Sequence, residues 1–258
     1  MRATLLRFYS LLSGQIGFDP LKPLRTLRGL PGYFRDMRQF RAGYTGEFVI
    51  SPALQNRSEE GGTTKSEYFW QDLLVARKIF EARPTRHIDI GSRIDGFVAH
   101  VAAFREIEVF DIRPISTNIP GIKFTRADLM DPVGELSECC DSLSCLHALE
   151  HFGLGRYGDP VDPLGFERGL ASMARLLKSK GVFYLSVPIG IERVEFNSHR
   201  VIDPRKLVEL ASRSELHLSA LTIIHPGGGV SERVSPDVAL YDLARLTYVL
   251  GVFTFVKS

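Results

Sequence analysis

The chain has 258 residues, of which 44% are hydrophobic and 24% charged, and 32 basic against 30 acidic side chains leave a net charge of +2. This is the composition of a soluble globular protein that is long enough to bury a full core. The near balance of charge excludes a general polyanion binder, so we expect no nucleic-acid partner. A membrane-spanning helix needs roughly 18 consecutive apolar residues, and no run of that length occurs.

Basic side chains are concentrated in residues 1–42, where eight Lys or Arg stand against only Asp19 and Asp36. An apolar pattern predicts a short helix over residues 2–12. Recurring glycine and proline then predict only short helices near Leu24–Arg28 and Tyr33–Arg41. Two interpretations stay open: a solvated arm that packs over the core or a homodimer partner, and a cationic contact with a membrane surface or an acidic carrier.

A loop-like stretch over residues 43–65 precedes the next predicted helix. Ser66 is a plausible cap for a helix that runs to about Ala82, and Pro84 stops it. A helix of this kind is a common prelude to an α/β sheet. We therefore predict a basic N-terminal helical arm over residues 1–60 and a second domain over residues 61–258.

A strand, a glycine turn and a helix follow one another from Arg86 onward. The strand is His87–Ile90, the turn holds Gly91 and Ser92, and the helix is predicted over Gly96–Phe104. This is the opening of a nucleotide-binding βαβ unit, in which glycine lets a ligand approach the backbone. A second strand ends at Asp111, where a carboxylate can accept hydrogen bonds from both hydroxyls of a ribose.

The remainder of the chain alternates between strand and helix patterns, which predicts an α/β domain with a mostly parallel sheet and helices on both faces. The predicted strands are His87–Ile90, Ile107–Phe110, Ile122–Thr125, Ser142–Leu146, Val182–Val187, Leu216–Ile224 and Val249–Val256. The clearest further helices are Pro163–Lys178 and Pro204–Ser212. The link Pro226–Asp237 is too short for a parallel crossover, so the last strand is predicted to be antiparallel.

Three cysteines lie close together in sequence, at Cys139, Cys140 and Cys145, without the spacing of a metal or disulfide framework. They are typical of reduced structural thiols, which predicts a cytoplasmic protein. If the basic arm contacts a membrane, the protein is membrane-peripheral.

The glycine turn after the first strand, the acid after the second and the reversed seventh strand resemble the class I S-adenosylmethionine-dependent methyltransferases. This resemblance implies a Rossmann-like sandwich of seven strands in the order 3-2-1-4-5-7-6, with S-adenosylmethionine as cofactor. More closely, Leu149–Pro160 with Asn197–Val201 downstream resembles domain-of-unknown-function family 268, over about residues 65–258. That resemblance implies polysaccharide biosynthesis, with O-methylation of a sugar or glycan precursor.

The resemblance also assigns residues to the cofactor. Asp89, Gly91 and Ser92 match the first motif, Asp111 matches the ribose acid, and Asp128 matches the residue that meets the adenine amino group. Arg93 and Asp95 stand where the family has its second and third glycines. Arg93 either turns outward, pairs with the carboxylate of the cofactor, or fills its site, in which case the chain is a non-catalytic binding or scaffold protein.

The catalytic and substrate residues follow from position after the strands. Glu150 and His151 match a Glu-His pair that faces the methionine end and the substrate; His151 and His199 are the candidate bases, with Glu150 orienting one of them. The candidate substrate contacts are Tyr157, Asp159, Asn197 and Arg200. The run His147–His151 also matches the H-x-x-E-H zinc-peptidase pattern, but it leaves the end of a strand, so we predict no metal.

Overall fold

The computed structural model describes residues 17, 22–54, 61–62, 64–131, 136–232 and 236–258. The chain forms two compact units, residues 1–63 and residues 64–258. The helix predicted over residues 2–12 lies outside the described residues, and the independent folding of the two predicted domains stays a prediction. None of the described helices is long and apolar enough to cross a membrane.

Among its described residues the first unit has one helix, α1, over Lys22–Gly43, where two short helices were predicted. Pro31 lies inside α1 and removes one backbone hydrogen bond, a local cost that leaves the turns on either side intact. Gly29 lets the backbone carbonyl of Leu54 approach α1 so closely that a Cβ would collide with it. The contact between α1 and the segment at Leu54 thus offsets the cost of glycine and proline within the helix. Membrane binding and homodimer formation by this unit stay predictions.

The second unit is built on an eight-stranded sheet. Its strands are β1 His87–Ile90, β2 Ile107–Asp111, β3 Ile122–Arg126, β4 Cys140–Leu146, β5 Leu177–Ile189, β8 Leu216–His225, β9 Gly229–Ser231 and β10 Val249–Lys257. A separate two-stranded hairpin consists of β6 Arg193–Glu195 and β7 His199–Val201. The described helices are α2 Glu67–Ala82, α3 Ala99–Ala102, α4 Gly165–Leu176, α5 Pro204–Arg213 and α6 Pro236–Leu243.

The strand order is β3-β2-β1-β4-β5-β10-β8-β9. Strands β1 to β5 pair in parallel, and β10 lies antiparallel between β5 and β8. The predicted α/β class and the predicted order are therefore confirmed over seven strands. The expectation of a loop directly after β8 is wrong. Residues Gly229–Ser231 form an eighth strand, β9, which folds back and pairs with β8 at the sheet edge.

Two apolar clusters cover the faces of the sheet. Val75 and Ile79 of α2 pack on one face together with Phe97 and Val101. On the other face α4 and α5 bury their apolar sides, with Leu207 among them. This three-layer arrangement leaves the carboxyl ends of β1, β2 and β4 at one edge of the sheet, where parallel sheets bind ligands.

The segment after β1 differs from the predicted helix Gly96–Phe104. A π-helical turn, Ile94–Val98, precedes the short α3, and Gly96 departs from helical geometry inside it. A Cβ on Gly96 would lie 2.6 Å from Asp72 Oδ2 on the neighbouring helix α2. This close approach favours glycine at position 96, where the backbone leaves helical geometry.

Candidate active site

A buried polar network fixes the turn that follows β1. Asp89 Oδ1 accepts hydrogen bonds from Ser92 Oγ and Ser144 Oγ, both at 2.6 Å, and Asp89 Oδ2 accepts one from Ser92 N at 3.0 Å. Ser92 Oγ in turn accepts a bond from the amide of Leu146 on β4. Because Ser144 donates to Asp89, its oxygen accepts from His87 Nε2, at 3.1 Å.

Asp89 and Ser92 therefore hold the turn, and they do not line the cleft as the resemblance implied. Burial raises the pKa of Asp89 to about 7, against the serine hydrogen bonds that favour its carboxylate. Burial also lowers the pKa of His87 to about 3, so its imidazole is neutral. The network is a rigid support for the backbone of Gly91, which does reach the cleft.

Gly91 has a positive φ of 68°, and a Cβ there would lie 3.0 Å from Ala148 Cβ. Its amide donates to the Phe110 carbonyl at 2.9 Å. Glycine is thus required both by the left-handed backbone and by the close approach of the segment after β4. The backbone at Gly91 forms the floor of the cleft.

Gly91→Ala is expected to destabilise the fold by more than the roughly 1–2 kcal/mol that a left-handed backbone costs an alanine, because the new methyl group also presses on Ala148. Urea unfolding measures the loss. Gly227→Ala is the matched control, since Gly227 has a φ of 93° with no atom within 4 Å of its Cβ position. The double variant Gly91→Ala/Ala148→Gly should recover the excess loss, and no recovery would refute the contact.

A continuous cleft runs along the carboxyl edge of the sheet. An open part of about 520 Å³ is lined by Tyr68, Arg93, Asp111, His147 and Arg156, among others. A narrow part with about 40 Å³ of free space extends past Phe110 and Ile112 towards Asp128 and Met130. Gly91, Asp111, Ala148, His151 and Tyr157 border both parts. A narrow, mostly apolar slot next to an open polar chamber suits a ligand with one apolar part and one polar end.

Asp111 lies between the two parts, and Arg113 occupies its carboxylate. Arg113 donates to Asp111 Oδ1 from its amide at 2.8 Å and from Nε at 3.0 Å, and to Oδ2 from Nη2 at 2.5 Å. Arg113 Nη2 also donates to the Gly91 carbonyl at 3.2 Å. A carboxylate offers about four acceptor positions, so a diol can bind Asp111 only after the guanidinium moves. The sequence reasoning identified Asp111 and missed Arg113, two residues further on.

Asp128 lines the narrow part, as the prediction places it. Its Oδ1 accepts a hydrogen bond from the amide of Met130 at 2.9 Å, which orients the carboxylate at the end of the apolar slot. Leu129 and Phe110 are buried walls of this slot. A carboxylate at the end of a mostly apolar pocket provides an acceptor for a ring amino group.

Arg93 does not fill the cleft. Its guanidinium pairs with Asp95, with Nη2 at 2.8 Å from Oδ2, and lies over the ring of Tyr68 at 5.2 Å from the centroid. The side chain is about half exposed, at 52%. Arg93 borders the open part of the cleft without filling it, so the alternative in which its side chain fills the cofactor site is wrong. The outward and the carboxylate-pairing alternatives stay predictions.

A histidine clamped between carboxylates faces the open part of the cleft. His147 Nδ1 lies 2.7 Å from Glu150 Oε1, and His147 Nε2 lies 3.4 Å from Glu67 Oε2. Tyr248 donates to that same Glu67 oxygen at 2.7 Å, and the ring of Tyr68 packs on His147 at 4.6 Å. His147 appeared in the sequence only inside the H-x-x-E-H pattern; Glu67 and Tyr248 come from remote segments that no local pattern connects.

The charges of this cluster are coupled. Burial disfavours the protonated imidazole, yet the hydrogen bond with Glu150 and the negative charge of Glu67, 3.4 Å from Nε2, prevail and raise the pKa of His147 to about 9. Burial likewise opposes ionisation of Glu150, but the bond from His147 holds its pKa below the ordinary value. Among the described residues, His147 Nε2 and Glu150 Oε2 are buried atoms without a hydrogen-bond partner.

Of the two histidines predicted as bases, His151 borders the described cleft and His199 does not. His151 borders the cleft, but its Nδ1 donates to the Ser198 carbonyl at 2.7 Å, and burial lowers its pKa. Its Nε2 is 3.7 Å from Glu150, so Glu150 lies between two imidazoles. His199 is on β7 beside Tyr248 and does not line the described cleft. The structure thus brings His151 and Glu150 together with His147 and leaves His199 outside.

The glycine-rich loop over residues 153–160 forms the rim of the cleft. Asp159 accepts hydrogen bonds from the amides of Gly153, Gly155 and Tyr157 at 3.0 to 3.2 Å, so it shapes the loop, and it also borders the narrow part of the cleft. Tyr157 does line the cleft, and the Arg113 guanidinium lies 4.6 Å from its ring centroid.

The other two predicted substrate contacts are outside the cleft. Arg200 is buried and donates to the carbonyls of Glu150 and Phe152, at 3.2 and 2.6 Å. It supports the segment after β4. Asn197 is exposed in the turn between β6 and β7 and borders neither part of the described cleft.

The H-x-x-E-H run does not form the helix that a zinc peptidase needs. His147 has a positive φ of 52°, and only a three-residue 3₁₀ turn, Leu149–His151, follows. Within the described ranges, no three His, Cys, Asp or Glu side chains are grouped so that they could hold a metal ion.

Solved structures resemble the whole sheet-and-helix arrangement. The chain has the class I methyltransferase fold. Residues 115–216 also match the family described as DUF268, Caenorhabditis protein of unknown function, which confirms the resemblance over that segment. None of the curated proteins matches the chain in sequence.

Three of the similar structures define how far the likeness extends. One is the 1,6-didemethyltoxoflavin-N1-methyltransferase of Burkholderia thailandensis, solved with S-adenosylhomocysteine, at 15% identity and a TM-score of 0.52 over 93% of this chain and 90% of that one. Another is the N-methyltransferase NodS of Bradyrhizobium japonicum, also with S-adenosylhomocysteine, at 12% identity and a TM-score of 0.50 over 77% and 89%. The third is the [4+2]-cyclase SpnF, at 14% identity and a TM-score of 0.50 over 72% and 81%. At such identities the likeness concerns the fold alone.

Proposed function

We propose that this chain is an S-adenosylmethionine-dependent methyltransferase that acts on a hydroxyl group. The observation that carries the proposal is the convergence, at one edge of the sheet, of a narrow, mostly apolar slot with the His147–Glu150 pair. The slot borders Gly91, Asp111 and Asp128, and the open chamber beside it holds a histidine with one unsatisfied nitrogen.

The residues of the slot fit the cofactor. The backbone at Gly91 permits close approach because a Cβ would fill the space against Ala148. Asp111 would hold the ribose, Asp128 would accept from the adenine amino group, and the buried Phe110 and Leu129 would cover the ring. When bound, S-adenosylmethionine supplies the methyl group of its sulfonium. Tyr68 and Arg93 border the polar end of the chamber.

His147 is the proposed proton acceptor in place of His151 or His199. Glu150 accepts the Nδ1 proton, so a neutral His147 has a lone pair on Nε2. That atom is buried in this structure, so a hydroxyl in the cleft reaches it only after the side chains that cover it move. The hydroxyl oxygen gains the methyl group and its proton passes to Nε2. His147 keeps a left-handed backbone, at φ 52°, that is costly for any residue except glycine. Strain at a residue with a cleft-facing imidazole supports a functional role.

A sugar or glycan precursor is the proposed source of that hydroxyl. Support comes from the glycine-rich rim motif that resembles family 268, within the segment that matches it. A non-catalytic scaffold is the second candidate, and the Arg113 guanidinium on Asp111 favours it, because this contact competes with a ribose.

Isothermal titration with S-adenosylhomocysteine, the demethylated product, tests the proposal. The wild-type protein is expected to bind it at micromolar concentration, and Arg113→Ala should bind about 10-fold more tightly because Asp111 is then free, one charge-assisted contact being worth about 1.5–3 kcal/mol. Arg86→Ala is the control: it breaks the pair with Glu108, at 2.7 Å, between strands outside the described cleft, and should leave affinity unchanged. Absence of binding in both the wild type and Arg113→Ala would favour the scaffold.

A further inference from the structure

The open part of the cleft carries an excess of guanidinium groups. Three arginines line it, against two carboxylates. Arg93 pairs with Asp95 and Arg113 pairs with Asp111. Arg156, the third, has no carboxylate within ion-pair distance among the described residues.

The loop holds Arg156 in place without neutralising it. Nη1 donates to the Ser198 carbonyl at 2.7 Å, and the guanidinium lies 5.2 Å from the ring centroid of Tyr157. His151 also donates to Ser198, so Arg156 and His151 are both donors at their contact of 3.3 Å and cannot satisfy each other. The remaining nitrogens of the Arg156 guanidinium have no acceptor among the described residues.

The backbone beneath Arg156 is fixed. Asp159 binds three amides of the loop, and Gly153, at a φ of 73°, lies so close to the Asp162 carbonyl that a Cβ would collide with it. A guanidinium that is exposed, pre-oriented and short of a counterion recognises a carboxylate or a phosphate through paired hydrogen bonds.

We propose that Arg156 binds an anionic group, a carboxylate or phosphate, on the methyl acceptor, with Tyr157 holding the guanidinium towards the cleft. This inference rests on the proposed function and narrows its substrate to acidic or phosphorylated molecules. The cofactor also has a carboxylate, so the experiment separates the two sources of the anion.

Inorganic phosphate is the probe, titrated into ¹⁵N-labelled protein while the arginine Nε–H signals are followed by NMR, with and without saturating S-adenosylhomocysteine. The wild type is expected to bind phosphate saturably in both conditions. Arg156→Gln should weaken phosphate binding at least 10-fold, and Arg156→Lys less, because a lysine retains the charge without the fork. Arg77→Gln, which removes an exposed arginine paired with Glu81 on α2, should change nothing.

The affinity for S-adenosylhomocysteine identifies the source of the anion. One supporting result is that Arg156→Gln has the wild-type affinity for S-adenosylhomocysteine. The other is that the wild type turns over glucuronic acid faster than glucose, whereas Arg156→Gln shows no such preference. The proposal is overturned if phosphate does not bind saturably. It is also overturned if S-adenosylhomocysteine displaces phosphate and Arg156→Gln lowers the affinity for S-adenosylhomocysteine. If phosphate binds through Arg156 while S-adenosylhomocysteine does not bind at all, the anion site stands and the methyltransferase proposal falls.

Discussion

Replacing His147 by glutamine is expected to lower turnover about 10²- to 10⁴-fold, the usual contribution of a positioned general base. The affinity for S-adenosylhomocysteine should change less than threefold, because His147 borders the chamber and not the nucleoside slot. The measurement is S-adenosylhomocysteine formation over a panel of sugar and nucleotide-sugar acceptors, combined with calorimetry of the product.

The pH dependence separates a base from a structural histidine. The pKa of His147 is raised to about 9, so the imidazole is protonated at neutral pH and turnover should rise with pH towards about 9. The contribution of the protonated imidazole to the stability of the fold changes with pH in the opposite direction to turnover. The stabilisation is complete below the ordinary pKa of 6.5 and is lost as the pH rises through 9. NMR of the imidazole signals measures the pKa directly, and Glu150→Gln should lower it.

His199→Gln is the matched control, because it removes the same side chain from β7 outside the described cleft. It should keep the wild-type pH profile and turnover within a few-fold. If His147→Gln and His199→Gln retain equal activity, or if His147→Gln weakens turnover and nucleoside binding in parallel, the base role of His147 is refuted.

Replacing Asp111 by alanine is expected to weaken the binding of S-adenosylhomocysteine about 10²-fold, since two charge-assisted hydrogen bonds to the ribose are lost at about 1.5–3 kcal/mol each. In the wild type, the ribose must displace Arg113 from Asp111, and the cost of breaking that ion pair offsets part of the energy of the two hydrogen bonds. The double variant Asp111→Ala/Arg113→Ala should therefore bind as weakly as Asp111→Ala, and the gain of Arg113→Ala should disappear. Calorimetry of the four proteins gives the coupling energy.

Asp95→Ala provides the comparison for Asp111→Ala, because it removes the other carboxylate that pairs with an arginine of the cleft. Its carboxylate is mostly exposed, at 75%, and no ribose contact is assigned to it. An unchanged nucleoside affinity is expected. Should Asp111→Ala lose stability but keep nucleoside affinity, Asp111 would serve only as the partner of Arg113.

Much of the fold could be read from local pattern. Strand-like apolar runs separated by glycine and by helical periodicity located β1, β2, β3 and β4 to within about two residues, and the short final link predicted the antiparallel strand. The exceptions had tertiary causes. Contact with Asp72 distorts the helix at Gly96, and α1 continues through Pro31 beside a returning segment.

The candidate site divides in the same way. Asp111, Gly91 and Asp128 follow the ends of parallel strands, and the carboxyl ends of such strands meet at one edge whatever the side chains around them, so the sequence by itself determined that these three residues border one cleft. Only the tertiary structure decided which groups meet there. It brought Glu67 to His147 from a remote segment, and it turned Arg113 and Glu150, which are close in sequence to their partners, onto Asp111 and His147. Contacts between remote segments depend on packing and register, which no local pattern encodes.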